Sequence, residues 1–409
     1  MRFIVLDSGL RGKYGHHDRF ARGFFKVMNG AGVSVRYLAM IAVEPDVARD
    51  CNATPFFHTH FYARLSTDRY DGLAMDASLR ARSYENDLDK LRAEEITDDD
   101  VVLMPTAGPA EMLALLKWRK KRGLKMRMAF IVHRPTSYAY IDLKAGSQLM
   151  SLWRSVYRSL QEIDPDHFKV IAMTKGLADR LTALLDTPVY IQNSEQFANR
   201  PTTPPVGRSD GRLSVGFLGP VRHNKNLDSV DQIAIEAAAR GLKLELVFQA
   251  EGGEGAVAGV GDVTIQRLSG WIDDDGYEDL IASLDLVALP YVRSAYQFAS
   301  SGICANAIAL GRPVIVPSDT WMASMVEQGL ASGVVYTGEG AAAIAAAIEE
   351  ASRNIDRLRA QALERAPIWR KKFSGESVSA NLLAWARRGA RPAPRPQGPA
   401  RVGAAAITS

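Results

Sequence analysis

The residues best suited to grip an anion stand in two short stretches. In GFLGPVRHNKN (216–226), Arg222 and Lys225 lie three apart in a loop that follows an apolar run and turns at Gly219-Pro220. A forked guanidinium, a point-charge ammonium and the free N–H groups of a helix expected from about Leu227 together suit a diphosphate. Two solvated cations in a surface turn would show the same spacing. In SSGICANAIALGRPVIVP (300–317), Ser300, Ser301 and Gly302 supply hydroxyls and unpaired N–H groups at a helix start, and Gly302 lets an anion approach the backbone. Ser is equally a preferred helix cap. Asn306, one turn further in, is an amide able to bond a sugar hydroxyl or the nearby backbone.

Further candidates lie in the first half. DSGLRGKYGHHDRF (7–20) is a glycine-bearing loop between a strand-like run and a helix, and it carries Gly12, Gly15 and His16. It contains no Gly-x-Gly-x-x-Gly, which disfavours a nicotinamide enzyme. His133 closes the run RMAFIVH, where it either points into a cleft or packs at the sheet edge. Lys175 follows the run KVIAMT in a Thr-Lys-Gly turn before the helix LADRLTALL. Two acidic triplets, Asp98 to Asp100 and Asp273 to Asp275, could suggest a divalent ion. The second suits a helix N-terminus instead, where acids are favoured. Seven histidines and two cysteines, Cys51 and Cys304, offer no coordination set. No metal and no bound cofactor are expected.

These residues need strands and helices to hold them, and the chain alternates the two twice over. Strand-like runs fall at 2–7, 34–40, 101–106, 127–133, 169–174 and 188–193, with helical periods near 20–29 and 110–121 between them. The stretch from about 45 to 95 has no clear period. FANRPTTPPVGRSDG (197–211), with three prolines and two glycines, reads as a linker. Alternation restarts at 213–219, 243–250, 263–271, 285–291, 312–317 and 333–338. Repeated βαβ units imply parallel sheets, so the fold class is α/β, with two Rossmann-like doubly wound domains facing across a cleft. The expected division is an N-terminal domain over 1–196, the linker, a second domain over 212–372, a closing helix over 373–388 and a tail over 389–409.

Composition sets bounds on partners. With 409 residues, two cores are the default. No apolar stretch reaches the roughly 18 residues of a spanning helix. The opening MRFIVLDSG reads as a first strand rather than a signal peptide, and the two cysteines suit a reduced, cytoplasmic setting. Net charge is +4, yet five arginines (387, 388, 391, 395, 401) lie in the last 23 residues without an acid, so the rest carries −1. A near-neutral body argues against nucleic acid as a partner. The Pro- and Ala-rich tail cannot order itself, and its charge could meet an anionic membrane surface.

The order of GPVRHNKN, SGWIDDDGYEDLIASLDLVALPY and SSGICANAIALGRPVIVP resembles the donor-binding half of GT-B glycosyltransferases, in particular the large retaining family 4 type (glycosyl transferases group 1). The resemblance spans most of 213–340. It implies that Arg222 and Lys225 hold the donor diphosphate, that Asp285 to Pro290 form a core strand, and that Ala307, Ala309, Gly311, Pro313, Val314 and Ile315 end the last motif. Gly12 and Gly15 match a loop touching the donor phosphates, with His16 on the acceptor side. His133 matches a histidine near the reacting sugar, and Lys175 faces acceptor or phosphate. Two departures stand out. The family's second Glu, which holds the donor ribose, falls at Asn306, and its first falls at Phe298, with Tyr296 and Gln297 as the nearest substitutes. The implied activity is metal-independent, retaining transfer from a nucleotide-diphosphate sugar to a glycan or lipid-linked acceptor. A nucleotide-sugar-binding pseudoenzyme or scaffold, or a sugar-nucleotide epimerase, are the alternatives.

Overall fold

Runs of apolar residues too short for helices and unbroken by polar positions belong to strands covered on both faces. The computed structural model describes residues 1–13, 15–63, 72–133, 143–192, 210–219, 225, 229–249, 258–268, 272 and 274–388, and it folds these runs into two sheets. The first half supplies strands β1 (Arg2–Asp7), β2 (Ser34–Met40), β3 (Ala53–Phe57), β4 (Val101–Met104), β5 (Arg127–Val132), β6 (Phe168–Ala172) and β7 (Val189–Ile191). They pair in parallel in the order β3-β2-β1-β4-β5-β6-β7. Helices α1 (Gly15–Gly30), α2 (Pro45–Asp50), α3 (Gly72–Leu88), α4 (Pro109–Arg122), α5 (Leu143–Gln161) and α6 (Lys175–Leu185) make the connections.

The second half repeats the plan. Its strands are β8 (Leu213–Phe217), β9 (Leu244–Gln249), β10 (Ala258–Val260), β11 (Val263–Leu268), β12 (Leu286–Ala288), β13 (Val314–Pro317) and β14 (Gly333–Tyr336). They lie in the order β10-β11-β9-β8-β12-β13-β14, parallel except for the β10–β11 pair. Helices α7 (Val230–Ala239), α8 (Asp274–Ser283), α9 (Arg293–Tyr296), α10 (Gly302–Ala309), α11 (Trp321–Glu327) and α12 (Gly340–Arg353) belong to this unit. Two long helices, α13 (Ile355–Phe373) and α14 (Gly375–Arg388), follow. Among the described residues no helix is long and apolar enough to cross a membrane.

The α/β class and the doubly wound order are those expected. β3 and β10 were not anticipated, and both are edge strands with little pattern to read. β3 carries Pro55 and leaves its middle residues exposed, which an edge position tolerates. Several expected strands end early, so Pro105, Thr106 and His133 lie just past strand ends. Most of the 197–211 linker, Arg222 and the whole basic tail fall outside the described residues.

Each sheet separates two apolar layers. Two buried side chains tie strand starts together in the second unit. Asp285, the head of the motif strand, accepts from Ser214 N at 2.8 Å, Ser214 Oγ at 3.0 Å and the Arg359 guanidinium at 2.5 Å. It therefore clamps β8, β12 and α13 far from the strand ends that a ligand would meet. The closing helix does more than close the second unit. α14 crosses back, and Val378, Leu382, Leu383 and Ala386 enter the apolar layer of the first sheet beside Phe3, Phe24 and Leu103. Arg127 Nη1 donates to Trp385 O at 3.2 Å and its guanidinium stacks 5.7 Å from that ring. Leu382→Ala is expected to cost about 2–5 kcal/mol in urea unfolding, the scale of a core truncation. The exposed neighbour change Asn381→Ala should stay within about 0.5 kcal/mol.

Candidate active site at the facing strand ends

In the second unit, β8 hands the chain to Gly219, whose N–H donates to Gln249 Oε1 at 2.9 Å at the end of β9. Lys225 is buried, 7% exposed, with Nζ 5.2 Å from the centre of the Tyr291 ring. Its ammonium folds across Gly219: a Cβ at that position would overlap Nζ and stand 2.7 Å from Ile303 Cδ1. A side chain at 219 would therefore evict the lysine from the first turn of α10. That turn is capped by Ser301, which has extended backbone and accepts from Cys304 N at 3.2 Å. The cap satisfies one orphan donor and leaves the Gly302 and Ile303 N–H groups at the helix mouth. Burial pushes the Tyr291 phenol well above its ordinary range, so it stays neutral beneath the lysine. Lys225 and the Ile303 side chain in the first turn of α10 thus meet over Gly219, with Ser300 and Ser301 buried in the same stretch.

Asn306 is buried one turn into α10. Of the two substitutes for the first Glu, Tyr296 is buried against Tyr291, ring centres 4.4 Å apart, while Gln297 is exposed.

In the first unit, Asp7 ends β1 and accepts from Gly9 N at 3.0 Å and from His17 Nδ1 at 2.7 Å. A carboxylate only accepts, so Nδ1 carries the hydrogen of this bond. Gly9 is required by this pair, because a Cβ there would overlap the His17 ring. The His16 ring lies 4.1 Å from His17 and 5.1 Å from His133. His133 Nε2 pairs with Pro105 O at 2.8 Å. With Phe20 and Thr106, these three histidines line a recess at the strand ends. Tyr62 OH reaches His16 Nε2 at 3.3 Å, and His60 stands nearby, held below its ordinary pKa by burial and by the neighbouring His17.

His16 and His133 therefore lie side by side. His17, Asp7, Gly9, His60 and Tyr62 were not foreseen. The His-His doublet was visible, but the loop's glycines at 12 and 15 drew the reading, and residues 45–95 showed no period. Gly12 is buried in the loop. Gly15 opens α1 at φ +74° with open space around it, so its glycine serves the turn. Lys175 lies in the first turn of α6. Its side chain is 74% exposed and pairs with Asp179 at 2.6 Å in its own helix, an i,i+4 arrangement that faces solvent.

Its neighbours make the contact across the cleft instead. Thr174 Oγ1 donates to Phe298 O at 2.9 Å, and Arg19 Nη2 pairs with Glu278 Oε1 at 3.1 Å. The acidic triplets are used structurally: Asp100 accepts two bonds from Arg2, and Asp274 and Asp275 open α8. Among the described residues no three His, Cys, Asp or Glu side chains group as a metal set.

No protein-family model and no curated protein sequence matches the chain. Solved structures do. The chain is similar to sucrose-phosphate synthase from Thermosynechococcus elongatus, at 13% identity and TM-score 0.65 over 95% of this chain and 99% of that one. It is similar to a UDP-forming α,α-trehalose-phosphate synthase from Burkholderia xenovorans, at 14% identity and TM-score 0.65 over 96% and 100%. Anabaena HepE, solved in complex with UDP, matches at 12% identity and TM-score 0.61 over 95% and 100%. The fold is that of the GT-B glycosyltransferases.

Gly9→Ala is expected to push His17 off Asp7 and to cost about 1–3 kcal/mol, the scale of overpacking. The downfield imidazole N–H resonance of that pair should vanish in Gly9→Ala and persist in Gly15→Ala. A retained resonance in both would mean that the ring has room to move.

Proposed function

We propose that this chain transfers a glycosyl group from a nucleotide-diphosphate sugar to an acceptor hydroxyl, its N-terminal half (1–196) serving the acceptor and its C-terminal half (212–372) the donor. The observation that carries the reading is the convergence of the buried Lys225 ammonium on the mouth of α10 over Gly219. A buried cation beside free helix N–H groups is a site made for a diphosphate. Similarity to proteins solved with UDP or UDP-glucose supports a nucleotide diphosphate there and makes UDP the first probe.

In this reading the bond between the sugar's anomeric carbon and the diphosphate oxygen breaks, and its electron pair goes to the diphosphate. Lys225, Arg222 from the same loop, and the N–H groups at Ser301-Gly302 stabilise that charge, so no metal and no bound cofactor take part. Ser300 lines the same turn, and Asn306 contacts the ribose. Gly12 and Gly15 place the first loop near the phosphates, while His16 and His133 flank the sugar and acceptor. Retention is the outcome implied by the resemblance, with the acceptor proton passing to the departing phosphate and no protein nucleophile. The acceptor is a glycan or a lipid-linked saccharide met in the cytoplasm, with the basic tail as a peripheral membrane contact.

Phe298 and Asn306, which replace the family's acids, favour a second reading in which the chain binds a nucleotide sugar without turnover. Release of nucleoside diphosphate in the presence of acceptor separates the two.

Lys225→Ala is expected to weaken UDP binding by about 1.5–3 kcal/mol, the scale of a charge-assisted hydrogen bond, and to leave uridine binding unchanged in calorimetry. Equal losses for both ligands would mean damage to the fold. Asn306→Asp should keep donor binding within about tenfold, because a carboxylate also accepts ribose hydroxyls. Asn306→Leu should raise the donor KM; an unaffected KM would make Asn306 a structural amide.

A further inference from the structure

Phe298 belongs by sequence to the second unit, yet its ring packs against the apolar layer of the first. Three contacts hold it there. The ring lies on Gly176 in the first turn of α6, where a Cβ would stand 2.9 Å from Phe298 Cδ1 and 3.3 Å from Cε1. The Arg180 guanidinium carbon sits 3.9 Å above the ring centre, in cation–π range. The Phe298 carbonyl accepts from Thr174 Oγ1 at 2.9 Å, and the same hydroxyl caps α6 by accepting from Leu177 N at 3.2 Å.

Phe298 stands three residues before Ser301, in the short tether between α9 and α10. Three residues span at most about 10–11 Å, so fixing Phe298 restricts where the mouth of α10 can lie. Resting on the function proposed above, we infer that Phe298 is a positioning residue that couples apposition of the two halves to nucleoside diphosphate binding. It touches no ligand itself. Docked on α6, it holds the Ser301-Gly302 turn where Lys225 meets it; undocked, the tether and the turn are free to shift. A ligand that binds the docked arrangement better must then favour docking, and losing the dock must weaken the ligand by the same factor. Position 298, where the resemblance places an acid near the transferred sugar, is here spent on the opposite half of the molecule.

The test uses a substitution on the other unit. Gly176→Ala fills the space under the ring from a helix where Ala is the better former, so α6 itself should gain stability. UDP affinity is measured for the full chain, Phe298→Ala, Phe298→Tyr, Gly176→Ala and the Phe298→Ala/Gly176→Ala double variant. Small-angle scattering follows the radius of gyration of each without ligand. Phe298→Ala and Gly176→Ala should each weaken UDP about tenfold, a typical coupling factor. The double should be no weaker than the weaker single, since both remove one dock. Phe298→Tyr should bind as the parent, and the two disrupted variants should be larger in solution.

UDP affinities equal to the parent in both disrupted variants, or additive losses in the double, overturn the coupling. If the parent binds no nucleoside diphosphate, the proposed function fails by itself. The dock is then judged by scattering alone: an expanded Phe298→Ala supports it and an unchanged radius overturns it.

Discussion

Strands that run parallel all deliver the chain to one edge of their sheet, and each helix that follows must begin there with N–H groups its own backbone cannot satisfy. Both sheets obey this constraint, the β10 edge excepted. It is why chemistry-bearing side chains gather at strand ends: Asp7 after β1, the Pro105-Thr106 turn after β4, His133 after β5, Gly219 after β8. It also explains why α10 can act electrostatically. Its N-terminus opens at the strand-end edge of the second sheet, where Lys225 folds across the turn after β8. The opposite edge is held by different means, with Asp285 drawing two strand starts and a helix together through buried bonds.

Three close approaches translate this frame into a site, and each depends on a missing side chain. Lys225 lies over Gly219, His17 over Gly9, and Phe298 over Gly176. In every case another side chain occupies the volume that a Cβ would fill. Two of the approaches assemble groups within one half, a cation with a helix mouth and an imidazole with a carboxylate. The third joins the halves. α14 adds a second connection between them, since it continues the chain from the second unit and its apolar face completes the layer on the first sheet. Polar contacts and apolar burial thus both oppose separation, through Thr174, Arg19 and Phe298 and through Leu382 and Leu383.

Much of this was legible before any coordinates. Apolar runs of strand length with helical periods between them gave the doubly wound order, because β-branched residues covered on both faces leave a local signature. Lys225 and the Ser301-Gly302 turn stood out as candidates because both lie in loops directly after strands or before a helix. What could not be read is non-local or weakly patterned. β3 is half exposed and carries Pro55 at an edge. The Asp7–His17 pair joins residues ten apart through a turn whose shape no propensity specifies. Lys175 looked useful from its position, yet Thr174 and Gly176 on either side make the contacts across the cleft. Phe298 read as a loss of charge; only the folded chain reveals the glycine and arginine that receive it.

The claim on which the account turns is that the mouth of α10 and Lys225 form one diphosphate site. A crystal structure of the chain with UDP tests it most directly. The account predicts phosphate oxygens about 2.7–3.2 Å from the Gly302 or Ile303 nitrogen and from Lys225 Nζ, the range of a true hydrogen bond. A diphosphate seated elsewhere, with Lys225 still lying on Gly219 and touching no phosphate, would contradict it.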